Sequence, residues 1–311
     1  MLRRLLLALA QSDRAREFLT KFPPSQRAAR RFVAGETLSD AVEVVRTLNE
    51  QGILATLDHL GENTRTGEEA LSAAREYLHI LEAIQQKSLR SHASLKLTQM
   101  GIDLSEALCF ENLKMILEQA KRYGNFVRID MESSAYTERT LRLYERLCSC
   151  GYAANVGVVL QAYLRRSRGD AERLIARGAN VRLCKGAYAE PAEIAFPHKR
   201  DVDRNYRELL ELLWSPTAVR NGVYTAVATH HEKIIRWAQQ FTQAHRIPKD
   251  RFEFQMLYGI RRDLQTSLAQ QGYRVRVYVS YGQEWYPYFM RRLAERPANL
   301  LFLARHFLRA R

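Results

Sequence analysis

The sequence predicts an α/β protein built as a (β/α)8 TIM-type barrel with additional N-terminal helices. Three observations predict it. From residue 53 onward, eight short β-rich runs alternate with amphipathic stretches of helical spacing. No long structureless insertion separates them, and every gap has room for one helix. The alternative, an open doubly wound sheet, requires a glycine-rich phosphate loop after the first strand. The chain reads DHLGENTRTG there, and neither G-x-G-x-x-G nor a Walker loop occurs anywhere.

Residues 1–50 read as helical throughout, interrupted by Pro23 and Pro24, with Leu5 and Leu9, then Leu38, Val42 and Val45, at helical spacing. They are expected to form a helical cap, with residues 51–311 forming the barrel. The strands expected are ILATLD (53–58), ASLKL (93–97), FVRIDM (126–131), NVGVVL (155–160), NVRLC (180–184), VYTAVA (223–228), FEFQML (252–257) and YRVRVYV (273–279). The first barrel helix carries a capping box, Thr66 followed by Glu69. Others are expected near Glu111, Thr137, Asp170, Asp203, His231 and Arg261. The last runs from Glu284 to Glu295, and Pro297 stops it.

That last helix follows a loop carrying Gly282 and is rich in aromatics. Tyr288 precedes Arg291 and Arg292 by three and four residues, so a ring and a guanidinium share one face. Glu295 lies on the same side. Adjacent arginines suit a planar carboxylate, and aromatic walls suit a flat apolar ring. A basic surface helix whose aromatics face the core is an equally good reading of this stretch alone.

The chain has 311 residues, 46% of them hydrophobic, and a net charge of +14. Such a surface favours anionic partners: nucleic acid, anionic lipid or acidic metabolites. No basic run interleaved with glycine or aromatics supports the first, so no nucleic-acid partner is expected. Cys109, Cys148, Cys150 and Cys184 form no C-x-x-C pair. Reduced thiols in a cytoplasmic protein without a metal site are therefore expected. Nothing approaches the ~18 apolar residues of a spanning helix. The leading MLRRLLLALA reads as an amphipathic helix that stays on the protein.

A (β/α)8 barrel builds its site at the carboxyl ends of its strands. Polar residues mark that rim on seven of them. Lys96 ends the second strand and Asp130 the third, with Met131 and Glu132 following. Gln161 follows the fourth. Arg182, Lys185 and Tyr188 lie on or after the fifth, and Thr229 and His230 follow the sixth. Gln255 lies in the seventh, and Tyr278 ends the eighth. With Arg291 and Arg292 added, the cations outnumber Asp130, so a strongly cationic mouth is expected. It suits two anionic ligands, a phosphate-bearing cofactor and a carboxylate substrate. No nucleophile and no carboxylate cluster stands out, which assigns the chemistry to a cofactor.

The segments SLKL, RIDMESS, VVLQAY, RLCKGAY-x-EP, ATHH, FEFQMLYGIR and YPYFMRRLAERPAN, in this order, resemble the proline dehydrogenase family from about residue 50 to the end. The length is similar to its short, monofunctional bacterial form. The resemblance implies oxidation of L-proline to Δ1-pyrroline-5-carboxylate by noncovalent FAD. It further implies electron transfer to a membrane quinone, ubiquinone or menaquinone. The product would pass to pyrroline-5-carboxylate dehydrogenase on the way to glutamate. By the same resemblance Asp130 and Tyr188 are catalytic, and Asp130 pairs with Lys96 or a tyrosine. Arg291, Arg292 and Lys96 hold the substrate carboxylate, and Tyr278 and Tyr288 wall its ring. Met131, Gln161, Arg182, Lys185, Gly186, Ala187, Thr229 and His230 match cofactor-binding positions. Ala189 and His231 depart from the family's usual residues. Quinone reduction implies peripheral membrane contact, for which the basic ends are candidates; packing of both ends on the barrel is the competing expectation. Another flavin barrel, such as a methylenetetrahydrofolate reductase, would need an acidic group for its pterin, and the arginine pair argues against it.

Overall fold

The structure is a computed structural model and describes residues 29–295, with side chains through Leu293. Leu5, Leu9, Pro23, Pro24, Pro297, the Glu295 carboxylate and both basic ends lie outside the described residues.

Eight parallel strands close in sequence order: β1 (Leu54–His59), β2 (Ser91–Leu95), β3 (Val127–Ile129), β4 (Val156–Gln161), β5 (Asn180–Cys184), β6 (Tyr224–Ala228), β7 (Phe252–Leu257) and β8 (Val275–Tyr281). The barrel seals where β8 pairs with β1. Each expected run overlaps its strand, with four shifts that matter for the site. β3 ends at Ile129, so Asp130 stands just past it, and Gln161 is the last residue of β4 instead of following it. β2 ends at Leu95, so Lys96 stands just beyond it. β8 continues pairing to Tyr281, so Tyr278 is inside the strand and not at its end. The stagger of a closed barrel explains why it still reaches the rim. Tyr278 pairs with Leu257, the last residue of β7.

The helices are α1 (Leu38–Glu50), α2 (Gly67–Gln86), α3 (Glu106–Arg122), α4 (Ser134–Leu147), α5 (Ser167–Ile175), α6 (Lys199–Leu213), α7 (Pro216–Arg220), α8 (Glu232–Ala244), α9 (Arg262–Gln270) and α10 (Trp285–Glu295). Several start a few residues before the expected positions; for α3 the reason is Ser105, whose side chain caps the helix further upstream. Residues 1–50 are not helical throughout, since turns and irregular chain occupy 30–37. A complete capping box opens α1: Thr37 accepts from the Asp40 amide at 3.2 Å, and Asp40 accepts from the Thr37 amide at 3.1 Å. The box expected at Thr66 is only half formed. Thr66 accepts from Glu69, but the Glu69 carboxylate takes the Arg65 amide.

α1 buries Ala41, Val42, Val45 and Leu48 against the seam of β1 and β8. α10 does something else. Its Trp285, Tyr286, Tyr288, Phe289 and Leu293 cluster with Phe32, Val33, Leu60 and Ile260. Leu60 and Ile260 sit in the loops after β1 and β7, so α10 lies over the carboxyl end of the barrel.

The strands alternate in an unusual sense. Their outward residues, such as Leu57, Leu95, Val158, Leu183 and Val277, are apolar and fully buried beneath the helices. The inward layer is polar. Arg276 donates to Glu253 at 2.8 Å and to the Ala55 carbonyl, while Arg128 donates to the Val158 and Asn180 carbonyls. Such groups persist inside a barrel only when hydrogen-bonded, and these bonds span the strands.

Candidate active site

Every residue named above for catalysis, substrate or cofactor lines one cavity of about 430 Å3 at the carboxyl ends of the strands. α10 brings Tyr288, Arg291 and Arg292 to it. The Arg292 guanidinium lies over the Tyr288 ring at 5.1 Å, as their four-residue spacing requires.

Asp130 is the hub of the floor. It accepts from the Tyr278 hydroxyl at 2.6 Å, from Arg182 at 2.6 Å and from Ser94 at 2.8 Å. Burial, reinforced by Asp130, pushes the Tyr278 pKa well up, so its hydroxyl remains a donor. Arg182 also donates to Gln255 at 2.5 Å and stands 5.3 Å from the Tyr278 ring. Of the two partners expected for Asp130, the structure selects the tyrosine. Lys96 pairs instead with Asp58, at 3.1 Å. Burial opposes the charge on Lys96, but Asp58, Asp130 and Glu62 outweigh it and hold its pKa up.

The strong cationic excess expected is reduced here to near balance. Lys96, Arg182, Lys185, Arg291 and Arg292 share the cavity with Asp58, Glu62, Asp130 and Glu132. Arg291 donates to Glu62 at 2.8 Å. Glu132 accepts from the Thr98 amide and hydroxyl at 3.1 and 2.7 Å, and burial raises its pKa. These carboxylates are tied to donors, and among the described residues no His, Cys, Asp or Glu group is arranged to hold a metal ion.

The cofactor-type positions line the same cavity. Gly186 adopts φ +104°, and a Cβ there would meet the Tyr163 ring at 2.1 Å, so glycine alone fits. His230 Nε2 accepts from the Leu257 amide at 2.9 Å, which fixes its ring and places the neutral-form proton on Nδ1. Gln161 donates to the Met131 carbonyl at 3.3 Å, while its side-chain carbonyl oxygen is buried with no partner among the described residues. Lys185 is held by Asp203, and His231 Nδ1 lies 3.0 Å from the Lys185 ammonium. Burial and Lys185 lower the His231 pKa. Tyr188 is 39% exposed at the cavity's rim.

A second cavity, of about 600 Å3, adjoins the first through Lys185 and His230. It adds Lys199, Lys233, Arg236 and Arg261, which the sequence reading did not single out. Their signal is diffuse, because each lies on a polar helix start or loop rather than at a strand tip. Asp58, the penultimate residue of β1, was open to the reasoning that marked Lys96 and Asp130. Glu62 is a loop residue, and its partner lies 229 positions away.

The sequence profile described as proline dehydrogenase matches residues 41–305. The chain belongs to the proline dehydrogenase family. It is 46% identical to Proline dehydrogenase 1 of Bacillus subtilis subsp. natto, over 99% of this chain and all of that one. It is 44% identical to Proline dehydrogenase of Deinococcus radiodurans, over 90% of each chain. Among solved structures it resembles proline utilization A (PutA) from Bdellovibrio bacteriovorus inactivated by N-propargylglycine. The TM-score is 0.80 at 25% identity, covering 90% of this chain and 33% of that one. The chain thus spans about a third of the PutA structure. As a member of the family it is a proline-oxidising enzyme. The closed β1–β8 order of the barrel brings Lys96, Asp130, Gln161, Arg182 and Tyr278 to one cavity.

Proposed function

We propose that the chain oxidises L-proline to Δ1-pyrroline-5-carboxylate with noncovalent FAD, in the cytoplasm, and that the electrons pass to a membrane quinone. The observation that carries this reading is the meeting of α10 with the strand tips. Arg291, Arg292 and Tyr288 share one cavity with Lys96, Asp130, Lys185 and Tyr278.

The donor set fits the cofactor. The unpartnered Gln161 carbonyl oxygen suits an N–H of the flavin pyrimidine ring. The cationic second cavity suits a diphosphate, with Lys185 at the junction. Met131, Gly186, Ala187, Thr229 and His230 would form the remaining contacts. When bound, flavin supplies the two-electron acceptor for the hydride that leaves the ring carbon beside nitrogen.

The protein's own residues supply orientation and dryness. Arg292, with Arg291 and Lys96, would hold the substrate carboxylate, and planar guanidinium donors fix its plane. Arg291 must exchange Glu62 for that carboxylate or share itself between them. Tyr278, Tyr288 and Tyr188 would enclose the pyrrolidine ring and exclude water. Asp130 would keep Arg182 and Tyr278 in register beneath it.

The product has the chemistry to feed pyrroline-5-carboxylate dehydrogenase and lead to glutamate. Among the described residues no helix is long and apolar enough to cross a membrane. Access to a quinone is therefore proposed as peripheral contact through the basic ends. The deciding experiment is anaerobic titration of the purified protein with L-proline. A yellow preparation that bleaches supports the reading; one that is colourless, or keeps its flavin oxidised, refutes it.

A further inference from the structure

The loop leaving β5 is fastened at both ends to the segment after β4. The Lys185 carbonyl accepts from the Tyr163 amide at 2.8 Å. Further along, the Arg165 amide donates to the Ile194 carbonyl at 2.9 Å and the Phe196 amide donates to the Tyr163 carbonyl at 2.8 Å. Between these anchors stands Glu190. Its carboxylate accepts from the Ser134 backbone amide at 2.7 Å and from the Ser134 hydroxyl at 2.6 Å.

Ser134 opens α4, and the preceding Ser133 makes no side-chain cap bond. A helix start leaves free amides with positive potential, which a carboxylate satisfies well. Here that carboxylate arrives from 56 positions downstream. The short segment before α4 also carries Asp130 and Glu132, each bound to the site as described above. Glu190 therefore ties one wall of the cavity to the stretch that holds its carboxylates.

Tyr188 lies two residues before Glu190. Its hydroxyl is within electrostatic reach of Glu62, Glu132, Lys96 and Arg291, although residues 187–189 are otherwise exposed. The Tyr188 backbone amide faces the Tyr163 hydroxyl, and beyond that local contact the next tie on this segment is Glu190. We propose that Glu190 is a positioning residue: by clamping this loop to the start of α4, it holds Tyr188 over the substrate end of the cavity. It touches neither substrate nor cofactor. The inference rests on the reading that Tyr188 closes one edge of the proline site.

The test uses the full chain with bound flavin, as Glu190→Ala and the isosteric Glu190→Gln. Hydrogen–deuterium exchange of residues 186–195, measured without substrate, reads the clamp. Steady-state kinetics with L-proline read its consequence. Glu190→Ala is expected to raise exchange in this loop and to raise KM roughly ten-fold, with kcat changed less than about two-fold, the factor a lost charge-assisted hydrogen bond supplies. Glu190→Gln retains an acceptor for the amide and is expected to restore both readouts. Unchanged exchange in Glu190→Ala overturns the clamp. Raised exchange with unchanged KM, or a Gln variant as impaired as Ala, overturns the positioning role. An unmodified protein inert toward L-proline would instead sink the parent reading, and the substrate-free exchange data keep the two failures apart.

Discussion

The Tyr278 hydroxyl, inside β8, donates to Asp130, just past β3, at 2.6 Å across the barrel mouth. The second Asp130 oxygen takes Arg182 from β5. Three strands are therefore locked through one carboxylate. Tyr278→Phe removes one donor and leaves the ion pair and the ring. It is expected to raise KM for L-proline about 5- to 20-fold and to cost at most ~1.5 kcal/mol of stability. Asp130→Ala leaves Arg182 buried without its carboxylate and is expected to cost ~3–5 kcal/mol. Steady-state kinetics and denaturant melts on the two variants check both statements. An Asp130→Ala protein as stable as the parent would refute the lock.

Arg292 has its guanidinium 5.1 Å from the Tyr288 ring centroid. Lysine keeps the charge but loses the planar fork and the stacking. Arg292→Lys is expected to raise KM for proline by about 10- to 100-fold while flavin content stays constant. Absorbance at the flavin band gives the second quantity. An unchanged KM would remove Arg292 from substrate binding.

Much of this was legible in the sequence, for a physical reason. A parallel barrel repeats one strand–helix unit, so its strand tips can be marked before any coordinates exist. Lys96, Asp130, Gln161, Arg182 and Tyr278 were found that way. The layer beneath was not. In YRVRVYV and FEFQML the alternation of charged and apolar residues normally signals a strand with one solvated face. Here the apolar face meets the helices, while Arg276 and Glu253 face each other inside the barrel. Nothing local separates the two cases. The same holds for Glu62 and Glu190, whose partners are Arg291 and Ser134, because loops carry no period from which a long-range partner can be read.

Glu253 joins Arg276 to Gln255, whose carbonyl faces Arg182. Burial alone would raise its pKa, but Arg276 and the other donors bring it down to about 2. The sign follows from linkage. A carboxyl whose native pKa is depressed adds stability that is present above its ordinary pKa of 4.5 and is lost as pH falls toward 2. Urea melts between pH 6 and 2.5 should show that loss in the parent and a shallower one in Glu253→Gln. At pH 6 the variant should start lower by ~3–5 kcal/mol, because Arg276 is left buried without its partner. Equal slopes would mean that Glu253 does not stay ionised in the native barrel.

The second cavity makes the cofactor assignment testable without turnover. Lys199 and Lys233 line it beside Lys185, and Asp203 and Glu232 offset part of their charge. A diphosphate there would be attracted by both lysines, and salt would screen that attraction, the Debye length being ~8 Å at physiological salt. The double variant Lys199→Glu with Lys233→Glu reverses both charges and leaves the floor around Asp130 intact. FAD is expected to bind at least about ten-fold more weakly at low salt, and the deficit should narrow as salt rises toward ~1 M, where the Debye length falls to ~3 Å. Riboflavin has no phosphate and no adenosine, so its affinity should change little. Fluorescence titration of the apoprotein with each flavin measures both. An equal loss for riboflavin and FAD would mean that this cavity does not take the diphosphate.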